Sequence, residues 1–399
     1  MIKTLKLGQV VDYSEDRVDV DKVALEKFIT VDNMLPNKSG ITIAENMPPQ
    51  GETLPKYNQG DILVGNIRPY LKKIWFSNKS GGAAADVLIF NVKPAFHPKY
   101  VYYAMFRDDF FSHMMRGKKG TKMPRGDKTQ ILDFLIPNID YPSQEKISTV
   151  LSVLDAKIEL NRIINAELEA MAKILHDYWF VQFDFPDKNG KPYKTNGGKM
   201  VRNEELKRDI PEAWKVGSLL DIAKYTNGLP CQKYRPIGEE HLRVIKIKEM
   251  HDGFNSETEL VRPNIPSAAI IENGDVLFSW SASLEVLIWT GGRGALNQHI
   301  FKVTSEEYSK SFYYFQLINY LQHFKMMAEN RKTTMGHITQ DHLQQSRIAI
   351  PPIELTRDLD DIVAPAFNQK VINEMQNQEL SRLRDWLIPM LMNGQIKIS

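Results

Sequence analysis

The 399-residue chain contains a single cysteine, Cys231, and therefore cannot form an internal disulfide. Such scarcity of cysteine is typical of proteins from reducing compartments. No apolar run approaches the length of a membrane-spanning helix, and the N-terminal residues lack an apolar core of signal-peptide length. These absences predict a cytoplasmic protein.

Familiar catalytic signatures are also missing. The sequence contains no P-loop, and its nine histidines and one cysteine show no metal-binding spacing. Pro48-Pro49 and Pro351-Pro352 lack the preceding Asn or Asp and the following aromatic residue of an amino-methyltransferase site. The sequence therefore predicts no catalytic, metal or cofactor site in this chain.

Two weak catalytic candidates remain, and each has a plainer alternative. Asp155 and Lys157 resemble the end of a nuclease carboxylate–lysine motif, but a solvated helix face explains them better. Cys231 has the chemistry of a nucleophile, but a structural cysteine is the favoured interpretation.

The bulk composition is that of a soluble globular protein with two or three domains, at 42% hydrophobic and 25% charged residues. The formal net charge is only +2. Any binding of nucleic acid must therefore come from local basic patches.

A heptad repeat runs through residues 143–180 and predicts one long helix of about 55 Å. Its seam is apolar except for two asparagines, and so long a seam needs a partner helix. The two series of seam positions are Ile147, Leu154, Asn161, Leu168 and Leu175, and Leu151, Ile158, Asn165, Ala172 and Trp179.

The predicted partner is a second helix within residues 356–393. Asn373, Asn377, Leu380 and Leu387 each lie 212 residues after a seam position of the first helix, so the asparagines are expected to fix the register. Pro365 and Arg384 interrupt this copy, and we expect its first turns to be kinked or separate.

The rest of the chain is an internal duplication, with landmarks repeated at shifts of 211 to 214 residues. The landmarks are Gly60-Asp61-Ile62-Leu63 with Gly274-Asp275-Val276-Leu277, Phe90 with Phe301, Tyr102-Tyr103 with Tyr313-Tyr314, and Ile136-Pro137 with Ile350-Pro351. Strands are expected at 28–31, 62–64, 87–92 and 134–137, and a core helix at 98–111.

The predicted fold is α+β, with two similar α/β domains separated by two long helices in a pseudo-twofold internal repeat. The expected segments are a first domain at 1–141, a long helix at 142–182, a linker at 183–213, a second domain at 214–354 and a second long helix at 355–399.

Basic residues spaced by glycine in the loop 116–128 suit close phosphate contacts, although a solvated charged loop is the alternative. Arg68 and Lys72 flank an aromatic residue in the loop after the Gly60-Asp61 strand. The candidate ligand-contacting residues of the first half are Arg68, Tyr70, Lys72, Lys73, Arg116, Lys118, Lys119, Thr121, Lys122 and Arg125.

The second half offers hydroxyl, amide and basic side chains at corresponding places. Asn297 and Gln298 have the amide groups that read adenine edges, with a hydrogen-bonded core as an equally good alternative. The candidates here are Lys246, Ser279, Ser281, Ser283, Asn297, Gln298, Arg331, Lys332, Thr333, Thr334 and His337.

These features together resemble the specificity subunits of type I restriction–modification systems. The resemblance rests on the two Gly-Asp elements, the loop Gly120-Thr121-Lys122-Met123-Pro124, the Ile-Pro strands and the long helices that follow them. It covers nearly the whole chain. The second half departs from it, because Thr333-Thr334-Met335-Gly336-His337 replaces the Gly-Thr-Lys-Met-Pro form.

The resemblance implies two target recognition domains, each reading one part of a split DNA site from the major groove, and two long helices packed antiparallel as a coiled coil. It implies a non-catalytic chain that docks two adenine methyltransferase subunits and two ATP-dependent translocase–endonuclease subunits. S-adenosylmethionine, ATP and magnesium would then belong to those partner subunits.

Two other functions stay open at this point: a coiled-coil scaffold without DNA specificity, and a nuclease with an unrecognised site. If the chain is a DNA-reading subunit, the two half-sites are expected to lie about one turn of DNA apart, some 34–36 Å. The two halves would be read on opposite strands.

Overall fold

The computed structural model describes residues 3–118, 120, 122–281, 283–330, 337–396 and 398. The chain divides into two compact units. The first unit comprises Met1–Ile158 and Glu379–Ser399, and the second comprises Glu159–Gln378. Each long helix contributes one part to each unit.

Ten strands and three short helices build the first unit, and a long helix begins in it. The strands are β1 (Thr4–Lys6), β2 (Val11–Tyr13), β3 (Arg17–Asp19), β4 (Phe28–Ile29), β5 (Thr53–Tyr57), β6 (Ile62–Gly65), β7 (Ile74–Phe76), β8 (Gly81–Ala83), β9 (Val87–Val92) and β10 (Leu135–Pro137). The helices are α1 (Pro98–Phe106), α2 (Asp108–Arg116), α3 (Lys128–Ile131) and the long α4 (Tyr141–Phe180).

Three sheets organise these strands, with the orders β2-β9-β6-β7, β3-β5-β8-β4 and β1-β10. The central strand β6 is buried along its whole length, as its unbroken apolar sequence predicts. Aromatic residues of α1 and α2 cover the first sheet and form the main core of the unit. This core includes Tyr100, Tyr103, Phe106, Phe110 and Phe111.

The second unit repeats this plan. Its strands are β11 (Met200–Asn203), β12 (Arg208–Pro211), β13 (Lys215–Ser218), β14 (Lys224–Asn227), β15 (Leu242–Ile245), β16 (Leu260–Val261), β17 (Ile270–Ile271), β18 (Val276–Ser279), β19 (Glu285–Ile288), β20 (Gly294–Leu296), β21 (Ile300–Thr304) and β22 (Arg347–Ile350). Its helices are α5 (Leu219–Ile222), α6 (Ile247–Asp252), α7 (Lys310–Asn330), α8 (Gln340–Gln345) and the long α9 (Ile353–Met392).

The sheet orders show how closely the two units correspond. The sheet β14-β21-β18-β19 matches β2-β9-β6-β7, and the pair β13-β22 matches β1-β10. In the remaining sheet, β17-β20-β15 matches β5-β8-β4, each with one antiparallel and one parallel pairing. The fourth strand differs, because β3 joins the β5 edge whereas β16 joins the β15 edge. A β11–β12 hairpin has no counterpart in the first unit among the described residues.

A glycine–aspartate turn precedes the central strand of the first sheet in both units. Gly60 and Gly274 have φ angles of 93° and 90°, a region that glycine adopts without strain. A carboxylate oxygen of Asp61 accepts a backbone N–H three residues upstream at 2.7 Å, and Asp275 does the same at 2.8 Å. The motif that first indicated the duplication is therefore a structural turn.

The α4 and α9 helices pack against each other within each unit. In the second unit, Asn161 donates to Asn377 at 2.9 Å and Asn373 donates to Asn165 at 2.8 Å, and all four side chains are buried. Because the pairing runs in opposite directions along the two helices, they are antiparallel. In the first unit, the apolar interface residues are Ile147, Leu151, Ile388, Leu391 and Met392.

The predicted α+β class, with two α/β regions and two long packed helices, is confirmed. Three local expectations are wrong. The strand expected at 28–31 ends at Ile29, the helix expected at 98–111 is interrupted at Arg107, and α9 runs through Pro365 as one helix. The neighbours Val363 and Phe367 are buried in the core of the second unit, and this packing holds the helix where proline removes a hydrogen bond.

In the described part of the chain, no helix combines the length and the apolar character needed to cross a bilayer.

Candidate nucleic-acid interface

The loop that follows β6 turns sharply at two basic residues. Arg68 and Lys72 both have left-handed backbone conformations, with φ angles of 51° and 52°. Between them Tyr70 is 51% exposed, and the Arg68 side chain is exposed as well. A large exposed ring beside an exposed guanidinium provides stacking and charge on one small surface.

Backbone contacts attach the predicted phosphate-binding loop to this turn. The N–H of Arg68 donates to the carbonyl of Pro124 at 2.8 Å, and Ile67 and Arg125 form an isolated antiparallel bridge. The N–H of Gly126 also reaches the carbonyl of Asn66, at 3.4 Å. The two loops selected from the sequence therefore lie together in the first unit.

Within this loop pair, the exposed basic residues are Arg116, Lys118, Lys122 and Arg125. Arg125 pairs with the carboxylate of Asp86 at 3.1 Å. Lys119 and Thr121 lie outside the described residues.

Two of the selected lysines have partners inside the first unit. Lys72 Nζ lies 2.9 Å from Asp108, which also receives Lys38 at 3.0 Å. Burial acts to raise the pKa of Asp108, but the hydrogen bonds and charges of Lys72 and Lys38 hold it below its ordinary value. Lys73 donates to the carbonyl of Val31 at 2.6 Å, and burial lowers the pKa of this lysine. Lys72 and Lys73 therefore hold the loop in place.

The second unit has an equivalent loop contact. The N–H of Ile338 donates to the carbonyl of Trp280 at 2.9 Å, which corresponds to the contact between Gly126 and Asn66. A capped helix follows in each unit: Asp127 accepts N–H groups at the start of α3, and Thr339 occupies the same place before α8. Arg331, Lys332, Thr333 and Thr334 lie outside the described residues.

The selected serines and amides of the second unit differ in exposure. Ser279 is fully buried, and its hydroxyl donates to a backbone carbonyl of its own loop. Ser281 is 5% exposed, whereas Ser283 is exposed. Asn297 is 9% exposed and accepts the N–H of His299 at 3.3 Å. Gln298 is partly exposed.

Lys246 lies at the N-cap of α6. Its ammonium group lies 2.6 Å from Glu259, and this hydrogen bond raises the pKa of the lysine.

Sequence inspection missed an aromatic cluster at the centre of the second loop pair. The Trp280 ring lies 5.5 Å from His299 and 5.3 Å from the predicted residue His337, measured between ring centroids. Its indole N–H donates to the side-chain oxygen of Asn227 at 3.0 Å. One feature of the sequence could have indicated this cluster: Trp280 is the first residue after β18, and Asn66 is the first residue after β6. An aromatic residue thus stands where the first unit has an amide.

Asp155 and Cys231, the two weak catalytic candidates, both lie in environments that explain them as structural residues. Asp155 accepts hydrogen bonds from Tyr103 at 2.6 Å and from Arg384 at 2.8 Å, and Arg384 also lies over the Phe106 ring. Cys231 is 1% exposed, and burial raises the pKa of its thiol to about 11. A neutral, buried thiol has no nucleophilic character at pH 7. Among the described residues no group of three metal-ligating side chains occurs.

A similar polar contact secures the helices in the second unit. Glu169 of α4 accepts hydrogen bonds from Tyr314 at 2.8 Å and from Lys370 of α9 at 2.6 Å. Tyr314 is the duplicate of Tyr103, so in both units the same tyrosine of the domain bonds a carboxylate on α4.

Both long helices also expose apolar side chains. Leu154, Leu168, Leu175, Leu380 and Leu387 on the seam are partly buried, whereas a separate set is more than 40% exposed. In the first unit this set is Tyr141, Val153, Leu383 and Trp386, and in the second it includes Leu160, Ile163, Met171, Ile174, Ile362, Ile372 and Met375. Exposed apolar side chains on both helices make this surface a candidate for contact with a partner protein.

Comparison with known proteins agrees with this architecture. A family model described as the type I restriction modification DNA specificity domain matches residues 211–381. The HindI specificity subunit of Haemophilus influenzae is 23% identical, and the alignment covers 99% of each chain. Over almost its whole length the chain is similar to the type I restriction–modification specificity subunits.

Two further comparisons extend this result. The MjaIX specificity subunit of Methanocaldococcus jannaschii is 24% identical over 75% of this chain and 69% of its own length. The crystal structure of a type I S subunit from M. genitalium has a TM-score of 0.54 at 12% identity, with 100% of this chain and 97% of that chain covered. The likeness to that structure shows a common fold.

Proposed function

We propose that this chain is the DNA specificity subunit of a type I restriction–modification system and reads a bipartite site, with one half-site read by each α/β region. The observation that carries the proposal is the repeated loop pair. In both units, the loop after the central strand is bonded to the segment before a capped helix, and the side chains at these positions differ. A shared framework with different side chains is suited to reading two different sequences in equivalent orientations.

The recognition regions are proposed to be residues 1–141 and 214–354. Exposed basic residues of the first loop pair, Arg68, Arg116, Lys118, Lys122 and Arg125, are placed for phosphate contacts, and Tyr70 for stacking or base contact. Buried residues such as Ser279 and Asn297 position the second loop pair. Phosphate contacts set affinity and register, whereas contacts to base edges set the sequence.

A domain exchange tests the proposal. Residues 1–141 are replaced by the corresponding region of a relative with a different target, and the full chain is assembled with its methyltransferase subunits. Mapping of the methylated adenines should show one half-site changed, with the other half-site and the gap between them unaltered. A chimaera that changes both half-sites together, or a wild-type complex with a continuous site, would disprove modular reading.

The exposed apolar side chains of α4 and α9 are the proposed docking surface for the methyltransferase subunits. Each unit carries such side chains on both helices, so the duplication supports two docking sites for two copies of one partner. Translocase–endonuclease subunits would complete the assembly. S-adenosylmethionine, ATP and magnesium are assigned in this proposal to the partner subunits.

Charge substitutions on that surface test the docking proposal. Ile163→Lys with Ile372→Lys, both in the second unit, should reduce the number of co-purifying adenine methyltransferase subunits from two to one, because burying two ammonium groups in an apolar contact is unfavourable. Glu167→Lys, at an exposed polar position of α4, is the matched control. Unchanged assembly of the double variant would place the docking surface elsewhere.

A nuclease activity finds no support, since the carboxylate of Asp155 is engaged by Tyr103 and Arg384.

A further inference from the structure

The two duplicated units differ in side-chain chemistry at the first position after the central strand. In the first unit it holds Asn66, which is 8% exposed. In the second it holds Trp280, a partly exposed ring. Each residue offers its backbone carbonyl to the same loop contact, to Gly126 or to Ile338. The framework is therefore retained while the side chain that it presents has changed.

A second position varies in parallel. Tyr13 ends β2 opposite Phe90, and Asn227 ends β14 opposite Phe301, so the two residues occupy the same register in their sheets. Tyr13 donates its hydroxyl to the carbonyl of Lys128 at 2.9 Å. Asn227 instead accepts the indole N–H of Trp280 at 3.0 Å.

The bond from Trp280 fixes the orientation of the Asn227 amide. Because the indole N–H only donates, it selects the amide oxygen, and the NH₂ group of Asn227 turns to the other side. Asn227 is exposed, and among the described residues no acceptor is recorded for its NH₂ group. Trp280 is itself held between His299 and His337, with Phe301 behind it at 5.9 Å.

Resting on the proposed function, we infer that Asn227, oriented by Trp280, is a specificity-determining residue of the second half-site and donates hydrogen bonds to a guanine edge. In the major groove, guanine presents two adjacent acceptors, N7 and O6, whereas adenine presents one acceptor and one donor. An asparagine that reads adenine uses its oxygen and its NH₂ group together. Here the oxygen is engaged by the indole, so a base with two acceptors fits the exposed NH₂ group best.

Two substitutions separate this role from simple packing. Asn227→Asp keeps an oxygen for the indole N–H but replaces the exposed donor by an acceptor. The preferred base at one position of one half-site should change from guanine to cytosine, whose N4 amino group donates, by roughly tenfold or more. Trp280→Phe keeps an aromatic ring but frees the amide to rotate, so guanine and adenine should both be accepted at that position. A structural role alone would lower stability in both variants without changing the preferred base.

The experiment selects DNA from a randomised library with the full chain assembled with its methyltransferase subunits. Asn189→Asp, the same change at an exposed turn of the linker, is the matched control and should select the wild-type site. If both cluster variants select the wild-type site, the assignment of Asn227 is overturned while the proposed function stands. If the wild-type complex selects no sequence at all, the proposed function itself fails.

Discussion

The side-chain amide of Asn373 donates a hydrogen bond of 2.8 Å to the side-chain oxygen of Asn165, across the buried interface of α4 and α9. A second bond of 2.9 Å joins Asn161 to Asn377 in the same interface. Buried amide pairs of this kind lower stability relative to apolar residues but select one register of the two helices.

Replacing one asparagine of a buried pair should therefore lower the free energy of unfolding more than replacing both asparagines. Asn373→Ala leaves the oxygen of Asn165 buried without its donor and should lower the free energy of unfolding by about 1–3 kcal/mol. Asn165→Leu combined with Asn373→Leu should cost much less, because neither buried amide of the pair remains, and Gln369 and Glu374, which lose their partners, can bond water instead. Urea denaturation measures both. Asn368→Ala, at an exposed position of α9, serves as control and should change stability by less than about 0.5 kcal/mol. Equal losses for the single and double variants would contradict this account.

Breaking the ion pair between Asp155 and Arg384 should lower the stability of the fold more than breaking the asparagine pair does. The Arg384 side chain is 11% exposed, so Asp155→Ala leaves a buried guanidinium without its main counter-charge. We expect a loss of about 3 kcal/mol, the lower end of the range for such pairs, because Asp385 still lies 2.9 Å from Arg384. Tyr103→Phe removes one hydrogen bond and should cost about 1 kcal/mol. Lys157→Ala, two residues further along the same helix, is the control. If it lowers the free energy of unfolding as much as Asp155→Ala does, the ion pair with Arg384 is not the cause of the loss.

Binding to DNA should depend steeply on salt if the basic loop contacts phosphates. With six or more phosphates neutralised, affinity should fall on the order of 10³-fold between 50 and 200 mM salt. Lys118→Ala and Lys122→Ala should weaken binding to every sequence alike and should each reduce the slope of log K against log salt by about 0.9. Fluorescence anisotropy with labelled DNA measures the slope, and Lys146→Ala on the exposed face of α4 should leave it unchanged. An effect confined to one sequence would instead assign the lysine to base recognition.

The lysine pair on Asp108 predicts an acid-dependent loss of stability. Burial alone would raise the pKa of Asp108, but Lys72 and Lys38 hold it below its ordinary value, so the ionised carboxylate stabilises the folded chain. This contribution is fully present above the unfolded pKa of about 3.9 and is lost as the pH falls through the lower folded pKa. Asp108→Asn should therefore destabilise the chain at pH 7, and the difference from wild type should shrink below about pH 4.

Denaturation series from pH 7 to pH 3 test this dependence. Asp21→Asn, at an exposed position of the first unit, is the control and should show no such trend. A difference between Asp108→Asn and wild type that stays constant across the series would count against the lysine pairing.

The features of the fold that could be predicted from the sequence are those with a local or a repeated pattern of residues. The heptad pattern persisted over about forty residues, so the long α4 helix and the buried positions of Asn161 and Asn165 followed from periodicity. The duplication followed from spacing, and the Gly-Asp turn from the residue types that such a turn requires. The break at Arg107 also had a signal, because Asp108 and Asp109 form an acidic first turn typical of a new helix.

Other features depend on pairs far apart in the sequence. Asn227 and Trp280 are 53 residues apart, and neither one alone carries a recognisable pattern. The continuity of α9 through Pro365 follows from burial of its neighbours, which local propensity does not report. The burial of Ser279 and Asn297 likewise follows from tertiary packing: the residue type of Ser279 indicated a ligand-reading role, and that of Asn297 fitted a hydrogen-bonded core equally well.

The first and last strands of each α/β region pair with each other, β1 with β10 and β13 with β22. Each region therefore begins and ends at one place, directly before a long helix. Recombination between related genes at these two points would transfer a whole region as a cassette and leave the helices intact. If each region reads its own half-site as proposed, one such exchange would give the chain a new DNA target in a single genetic event.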